Sequence, residues 1–295
     1  MKKIAIFAWS LALGACAGSR EATVAPPAPQ PTPQPPPASA PSRPALGYGI
    51  SSPATIGYEM LDTVTIAMEA GGQNVQIDVK SRIGAAVDLA PAGGGVRATV
   101  RVTTIDATAT NSMGPTTAVD SGDLPGPAEL TVNANGEVSI VRKPEFSQDL
   151  QRVTGPVDLY HRFFMRMPKR EVARNAAWTD TVTTNDVAQG LNTETLAIIT
   201  SVWERDTTVA GRTLNVITSR ITSTTRVRGT TEGVEIAQTL NGQTTATTLW
   251  DPVRRMIAER RDVAEGTGTT DLPGMGITGL PTTFRSRSVL RSAGT

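Results

Sequence analysis

The stretch VQIDVKSRIGAAVDL, residues 75–89, decides the fold class of this chain. Its odd positions are small or apolar, beginning with Val75 and Ile77, whereas most even positions are polar or charged, as at Gln76 and Asp78. In a strand, successive side chains point to opposite faces of the sheet. A period of two over this length therefore predicts a β-strand with one buried face.

The residues that follow repeat the pattern and predict a long antiparallel hairpin. The sequence AGGG at 92–95 supplies a turn, after which Val96, Ala98 and Val100 alternate with polar residues. The dipeptide Asn135-Gly136 separates two shorter alternating runs and is a typical type I′ hairpin signal.

Further segments predict strands along most of the chain, at residues 58–69, 177–185, 193–206, 211–228, 233–249, 254–264 and 283–291. Together with the two hairpins they indicate about ten antiparallel strands in meander order. We therefore expect a mainly β protein built on one sheet. Strands of this length rarely stay flat, so we expect the sheet to be curved.

Residues 145–167 have helical rather than strand spacing. Phe146 and Leu150 lie four residues apart, and Tyr160 and Phe164 repeat that interval before a proline ends the run. This predicts a short inserted helical pair that covers the curved sheet. Four aromatic residues of this region are candidates for an apolar ligand site or a lid: Phe146, Tyr160, Phe163 and Phe164.

The basic residues of the same region allow two interpretations. They could belong to a mobile lid or to an edge that touches a membrane. We favour the simpler one, a helix that packs its apolar stripe on the sheet and leaves its charges in solvent. The residues are Arg162, Arg166, Lys169 and Arg170.

Three arginines share one face of the last predicted strand, Arg285, Arg287 and Arg291. They could bind phosphate groups. We instead expect them to be solvated on an edge strand, where exposed charge deters aggregation.

Composition argues against several classes of function. The chain carries 28 Lys+Arg against 27 Asp+Glu, which gives no electrostatic reason to expect a nucleic acid partner. With Cys16 the only cysteine and His161 the only histidine, neither a Cys/His zinc site nor a nucleophile–histidine pair is indicated. The GxGxxG match at 274–279 follows a proline and lacks the helix that a dinucleotide site needs. We therefore predict a non-enzymatic protein with no catalytic, cofactor-binding or metal-binding residues.

The chain divides into three regions: 1–15, 16–46 and 47–295. Lys2 and Lys3 precede an apolar run that ends at Leu13, too short to span a bilayer and typical of a signal peptide. Residues 20–46 contain ten prolines and predict an extended linker. The remaining residues, 47–295, are expected to form a single β-rich domain.

The end of the apolar run, Leu13-Gly14-Ala15-Cys16, resembles the lipobox of bacterial lipoproteins. The resemblance implies cleavage before Cys16 and attachment of acyl chains such as palmitate to that residue, which would anchor the protein to a membrane. Since Ala17 follows the cysteine, the resemblance favours a location in the cell envelope, at the outer membrane and facing the periplasm.

The strand order with an inserted helical pair, over roughly residues 54–291, resembles the half-barrel of the LolA/LolB-like lipoprotein-carrier superfamily. The resemblance implies a lipid or other hydrophobic ligand held by the inner face of the sheet. The alternative is a structural or interaction lipoprotein with a filled core, whose outer face would meet an envelope protein partner. The residues do not distinguish the two, because the same side chains would line a pocket or fill it.

Overall fold

The structure, a computed structural model, describes residues 46–70, 73–147, 149, 150, 153, 158–188, 190–231 and 233–293. Cys16, the signal peptide and all of the linker before residue 46 lie outside the described residues. The strands are β1 Ala54–Ala70, β2 Gln73–Ala92, β3 Gly95–Asn111, β4 Thr117–Val119, β5 Ala128–Asn133, β6 Val138–Arg142, β7 Ala177–Ala188, β8 Leu191–Val209, β9 Arg212–Thr231, β10 Val234–Asp251, β11 Met256–Leu272 and β12 Ile277–Ser292.

These strands form one curved antiparallel sheet, which confirms the predicted mainly β class. Its order is β6-β5-β3-β2-β1-β12-β11-β10-β9-β8-β7, with β4 paired to β3. The two runs of neighbouring strands are meanders, and they are joined where the first strand pairs with the last, as at Met60 opposite Leu290. The edges of the sheet are consequently β6 and β7, which follow one another in the chain.

The structure extends several predicted strands and adds β4. Strand β11 was expected to end at 264 but runs to Leu272, through Gly266 and Gly268. A side chain at Gly266 would collide with the ring of Phe284, whose Cε1 lies 2.2 Å from the position of a Cβ. The glycines therefore make room for an aromatic ring on the neighbouring strand instead of ending the strand.

Residues 143–176, which we name the covering segment, join the two edges of the sheet, and their described part packs on one of its faces. We call that face the inner face. Lys143 Nζ, just after β6, lies 3.4 Å from Asp186 Oδ1 on β7, so the two edges approach each other. The sheet is thus curved far enough to bring its first and last strands in space close together.

Part of the predicted helical pair lies outside the described residues. Helix α1, Asp158–His161, is described, and Leu150 and Val153 are also helical. The expected end of the second helix at Pro168 is wrong, because α1 ends at His161 and residues 164–168 are neither helix nor strand. Residues 163–167 are all buried, and a helix on a sheet surface could not bury five successive side chains, because they would point in different directions around its axis.

The inner face differs between its two halves. On β1 to β6 its buried side chains are mostly valine, isoleucine, alanine and leucine. On β8 to β12 serine and threonine are frequent, and they pair with each other, as in Ser201–Ser219 at 2.7 Å and Thr195–Thr225 at 3.0 Å. The second half therefore buries its hydroxyl groups without leaving most of them unsatisfied.

Candidate ligand cavity

A cavity of about 130 Å³ lies between the covering segment and the inner face. Most of its lining is apolar and comes from both sides: Met60, Val64, Val79, Ile83, Val138, Val153, Leu159, Phe164, Met165, Ile199, Ile221 and Ala264. Its polar lining includes Asp62, Ser81, His161, Arg162, Arg166, Thr244, Arg260, Asp262 and Ser286. An apolar enclosure with a few convergent polar groups is the usual form of a small-molecule site.

Hydrogen bonds from backbone N–H groups hold the non-helical residues 165–167 of the covering segment over this cavity. The N–H of Met165 donates to the hydroxyl of Tyr48 at 2.7 Å, and the N–H of Met167 donates to the carbonyl of Asn135 at 2.8 Å. Gly136, in the β5–β6 turn, has a φ of +75° and lies against the carbonyl of Met165. A Cβ there would be 1.9 Å from that oxygen, so only glycine permits this approach.

An ion pair ties the covering segment to the centre of the inner face. Arg162 donates from Nη1 to Asp62 Oδ2 at 2.7 Å and from Nη2 to Asp62 Oδ1 at 2.5 Å. Nη2 also donates to the hydroxyl of Ser288 on the adjacent strand β12. The side chain of Asp62 is 10% exposed and that of Arg162 is 23% exposed. This bidentate geometry is among the stronger polar contacts available to a protein.

Two further ion pairs border the cavity. On β11, Arg260 Nε donates to both carboxylate oxygens of Asp262, at 2.9 and 3.0 Å. In the covering segment, Arg166 Nε lies 2.8 Å from Asp180 Oδ2 on β7. The contact between Arg166 and Asp180 is an ion pair without hydrogen-bond alignment, because Arg166 Nε has no hydrogen-bond partner in the described part of the chain.

His161, at the end of α1, also lines the cavity. Its burial, together with the charge of Arg166, lowers the pKa of the imidazole to about 4, against a smaller opposing effect of Asp186. The ring is therefore neutral at pH 7 and adds no positive charge to the cavity.

The four aromatic candidates from the sequence are found in the covering segment. Phe163 is fully buried with its ring 5.3 Å from that of Tyr58, and Phe164 lies 5.5 Å from Tyr48. Phe146 is partly buried and its ring is 6.0 Å from that of Tyr160. Of the four, Phe164 lines the cavity and the others pack around it, so their role in ligand binding stays a prediction.

The expectation that the charges of this region are solvated is wrong for two of the four residues. Lys169 and Arg170 are exposed, but Arg166 is buried and Arg162 is largely covered. The physical reason is that the chain is not helical here, so Arg166 is buried with its apolar neighbours and its guanidinium contacts Asp180. Sequence spacing could not show this, because it predicted a helix with Arg166 on the solvent side.

Asp62 was missed as a site residue although the sequence carried a signal for it. It occupies the same alternating phase as Tyr58, Met60, Val64 and Ile66, which the structure places on the inner face. A carboxylate at a buried position of an otherwise apolar series requires a partner. The partner, Arg162, is 100 residues away and no local pattern connects the two.

The last-strand arginines lie on the outer face, as expected, but not on an edge. Arg285, Arg287 and Arg291 are exposed, whereas β12 lies in the middle of the sheet between β1 and β11. The outer face here also bears an open groove of about 900 Å³. Exposed Leu196 and Ile198 line it among mostly polar side chains, so we assign the ligand site to the enclosed cavity instead.

The described ranges contain neither a metal-binding cluster nor a membrane-spanning helix. No group of three or more His, Cys, Asp or Glu side chains there is placed to hold a metal ion. No described helix is both long enough and apolar enough to cross a membrane.

Comparisons with known proteins leave the family open. No family model and no curated protein matches the chain. Among solved structures, one similar chain is a domain described as an outer membrane lipoprotein-sorting protein from Vibrio parahaemolyticus, at 6% sequence identity and a TM-score of 0.15. The alignment covers 80% of this chain and 86% of that one. At this TM-score the similarity carries no argument about function.

Proposed function

We propose that this protein is a membrane-anchored lipoprotein of the cell envelope that binds a lipid or other hydrophobic ligand and performs no chemistry on it. Acylated Cys16 would provide the anchor, with the outer membrane facing the periplasm as the favoured location. The observation that carries the binding function is the largely apolar cavity between the covering segment and the inner face.

The size of the cavity determines how such binding would occur. Sites for drug-sized ligands measure about 300–1,000 Å³, and this cavity measures about 130 Å³. A small ligand fits in the cavity without a conformational change. A whole acyl chain requires the covering segment to move away from the inner face. Among the described residues, the polar contacts that such a movement would break include the Arg162–Asp62 pair and the backbone hydrogen bonds to Tyr48 and Asn135.

The close packing of the covering segment favours a second candidate. Tyr160 and Phe163 are fully buried, and Met165 and Met167 are nearly so. If the segment is a permanent part of the core, the protein is a structural or interaction lipoprotein whose surface binds an envelope protein partner.

Native mass spectrometry of the purified full chain, combined with lipid extraction, distinguishes the two candidates. A ligand-binding module is expected to carry a co-purifying apolar molecule of defined mass, or to take up added fatty acid with a stoichiometry of one. An interaction lipoprotein is expected to bind neither above the level of an unrelated protein.

A pair of neighbouring substitutions on β11 locates the uptake. Ala264→Leu adds bulk toward the cavity and is expected to reduce ligand occupancy. Val263→Leu places the same side chain at the neighbouring, exposed outer-face position and is expected to leave occupancy unchanged. Equal occupancy in the two variants would contradict binding in this cavity.

A further inference from the structure

Arg166 presents buried donors that no described residue satisfies. The residue is 6% exposed and lines the cavity. Nε and Nη1 are both buried without a hydrogen-bond partner among the described residues. A guanidinium has five N–H donors, and native interiors leave few such groups unpaired, so each one calls for an explanation.

The charge around Arg166 is also unbalanced. Asp180 is shared by two cations, with Arg166 Nε at 2.8 Å from Oδ2 and Lys169 Nζ at 3.7 Å from Oδ1. Asp186, the next carboxylate on the inner side of β7, is itself paired with Lys143. The surplus charge of this group is on Lys169, whose side chain is 72% exposed, whereas the buried cation that lines the cavity is Arg166, whose side chain is 5% exposed.

An apolar path leads from this cation across the floor of the cavity. Asp180 is opposite Ile199, which is opposite Ile221, which in turn is opposite Thr244. The row crosses three strand spacings, about 14 Å in all. Both isoleucines line the cavity, and the hydroxyl of Thr244, buried and without a partner in the described residues, ends the apolar stretch.

We propose that the cavity binds an alkyl carboxylate, with the carboxylate on Arg166 and the chain over Ile199 and Ile221. This inference rests on the proposed binding function and specifies the ligand as an anion with an apolar chain. A cavity of about 150 Å³ takes up benzene, so this one suits a chain of about six carbons. The same carboxylate end of a longer fatty acid would occupy the site when the covering segment opens.

Calorimetric titration of the purified full chain at pH 7 with hexanoate, hexan-1-ol and acetate tests the proposal. A charge-assisted hydrogen bond to a buried guanidinium is expected to favour hexanoate over the alcohol by about 10-fold to 100-fold. Acetate, which lacks the chain, is expected to bind more weakly than either. A parallel titration with dodecanoate shows whether the ligand is a short acid or a longer fatty acid. Tighter binding of dodecanoate than of hexanoate assigns the site to the longer chain.

A charge-balanced variant tests the assignment to Arg166. The double substitution Arg166→Gln with Asp180→Asn removes the cation without leaving its carboxylate partner uncompensated. It is expected to lower the hexanoate affinity by about 10-fold or more and to leave the hexan-1-ol affinity unchanged. Lys169→Gln is the matched control, because Lys169 shares Asp180 but its side chain is 72% exposed, and we expect less than about a 3-fold effect.

Each failure has a distinct meaning. Equal affinity for hexanoate and hexan-1-ol overturns the carboxylate site but leaves the apolar binding function intact. Equal affinity for acetate and hexanoate overturns the role of the chain. If neither six-carbon compound nor dodecanoate binds, the carboxylate site is overturned, and the binding function fails with it only if no fatty acid is taken up in the mass spectrometry experiment. The comparison of ligands in the unaltered chain needs no variant, so it holds even if the double substitution does not fold.

Discussion

The Arg162–Asp62 pair should stabilise the domain far more than an exposed ion pair of the same type. Asp62→Ala leaves Arg162 without the carboxylate that accepts from both of its Nη groups. Removing one partner of a buried pair costs about 3–5 kcal/mol. Arg162 is 23% exposed and can regain some hydration, so we expect a loss of about 2 kcal/mol in the free energy of unfolding.

The outer face of the sheet provides a control pair that also includes a carboxylate of β1. Arg82 Nη2 lies 2.5 Å from Glu59 Oε1, but these side chains are 68% and 40% exposed. Glu59→Ala is therefore expected to cost less than about 1 kcal/mol. Urea unfolding at pH 7 gives both values, provided that the slope of free energy against urea is the same in each variant.

A double-mutant cycle separates the pair from its surroundings. Asp62→Leu, Arg162→Met and the combination should give a coupling energy of about 1–2 kcal/mol, because each single substitution leaves one charge unpaired and the combination leaves none. A coupling energy below about 0.5 kcal/mol, or equal losses in Asp62→Ala and Glu59→Ala, would refute the view that this pair ties the covering segment to the inner face.

Three further predictions concern the same segment. The pKa of His161 is lowered to about 4 in the folded protein, so the unfolded chain binds the proton more readily. The free energy of unfolding should therefore fall by about 3 kcal/mol between pH 7 and pH 4. Urea unfolding at both pH values should show that His161→Gln removes this part of the loss. Gly136→Ala forces a Cβ against a carbonyl at positive φ and should lower the free energy of unfolding by about 3 kcal/mol in thermal unfolding. Its control, Gly211→Ala, is also at positive φ but has no described atom within 4 Å, and it should lower that free energy by only about 1–2 kcal/mol. Tyr48→Phe removes the acceptor of the buried Met165 N–H and should lower the free energy of unfolding by about 1–3 kcal/mol in urea. Tyr160→Phe removes a buried hydroxyl without a partner among the described residues and should leave the stability unchanged. Equal losses in the two variants would be inconsistent with the hydrogen bond from Met165 to Tyr48.

The sheet could be predicted from the sequence because its signals are local. Residues 75–89 pair with β1 and β3 in the alternating phase that the side chains indicate, and Asn135-Gly136 turns the chain where expected. The central position of β12 could not be predicted. Its pairing with β1 joins Tyr58 to Ser292 across the whole domain, and no property of either strand identifies its neighbour.

The candidate site was predicted only in outline. The aromatic residues of the covering segment marked the right region, since Phe163 and Phe164 pack against the inner face. The charged residues that border the cavity were missed, because the burial of Arg166 depends on a non-helical backbone that packs against a distant turn at Gly136. Local spacing predicts a helix there, and long-range contacts override it.

The measurement that tests the central claim most directly is the location of bound ligand in crystals of the protein soaked with a bromine-tagged alkyl carboxylate. The account predicts an anomalous bromine peak between the covering segment and the inner face, near Ile199 and Ile221. A peak confined to the outer face, over Leu196 and Ile198, or no peak at any concentration that the crystals tolerate, would contradict it.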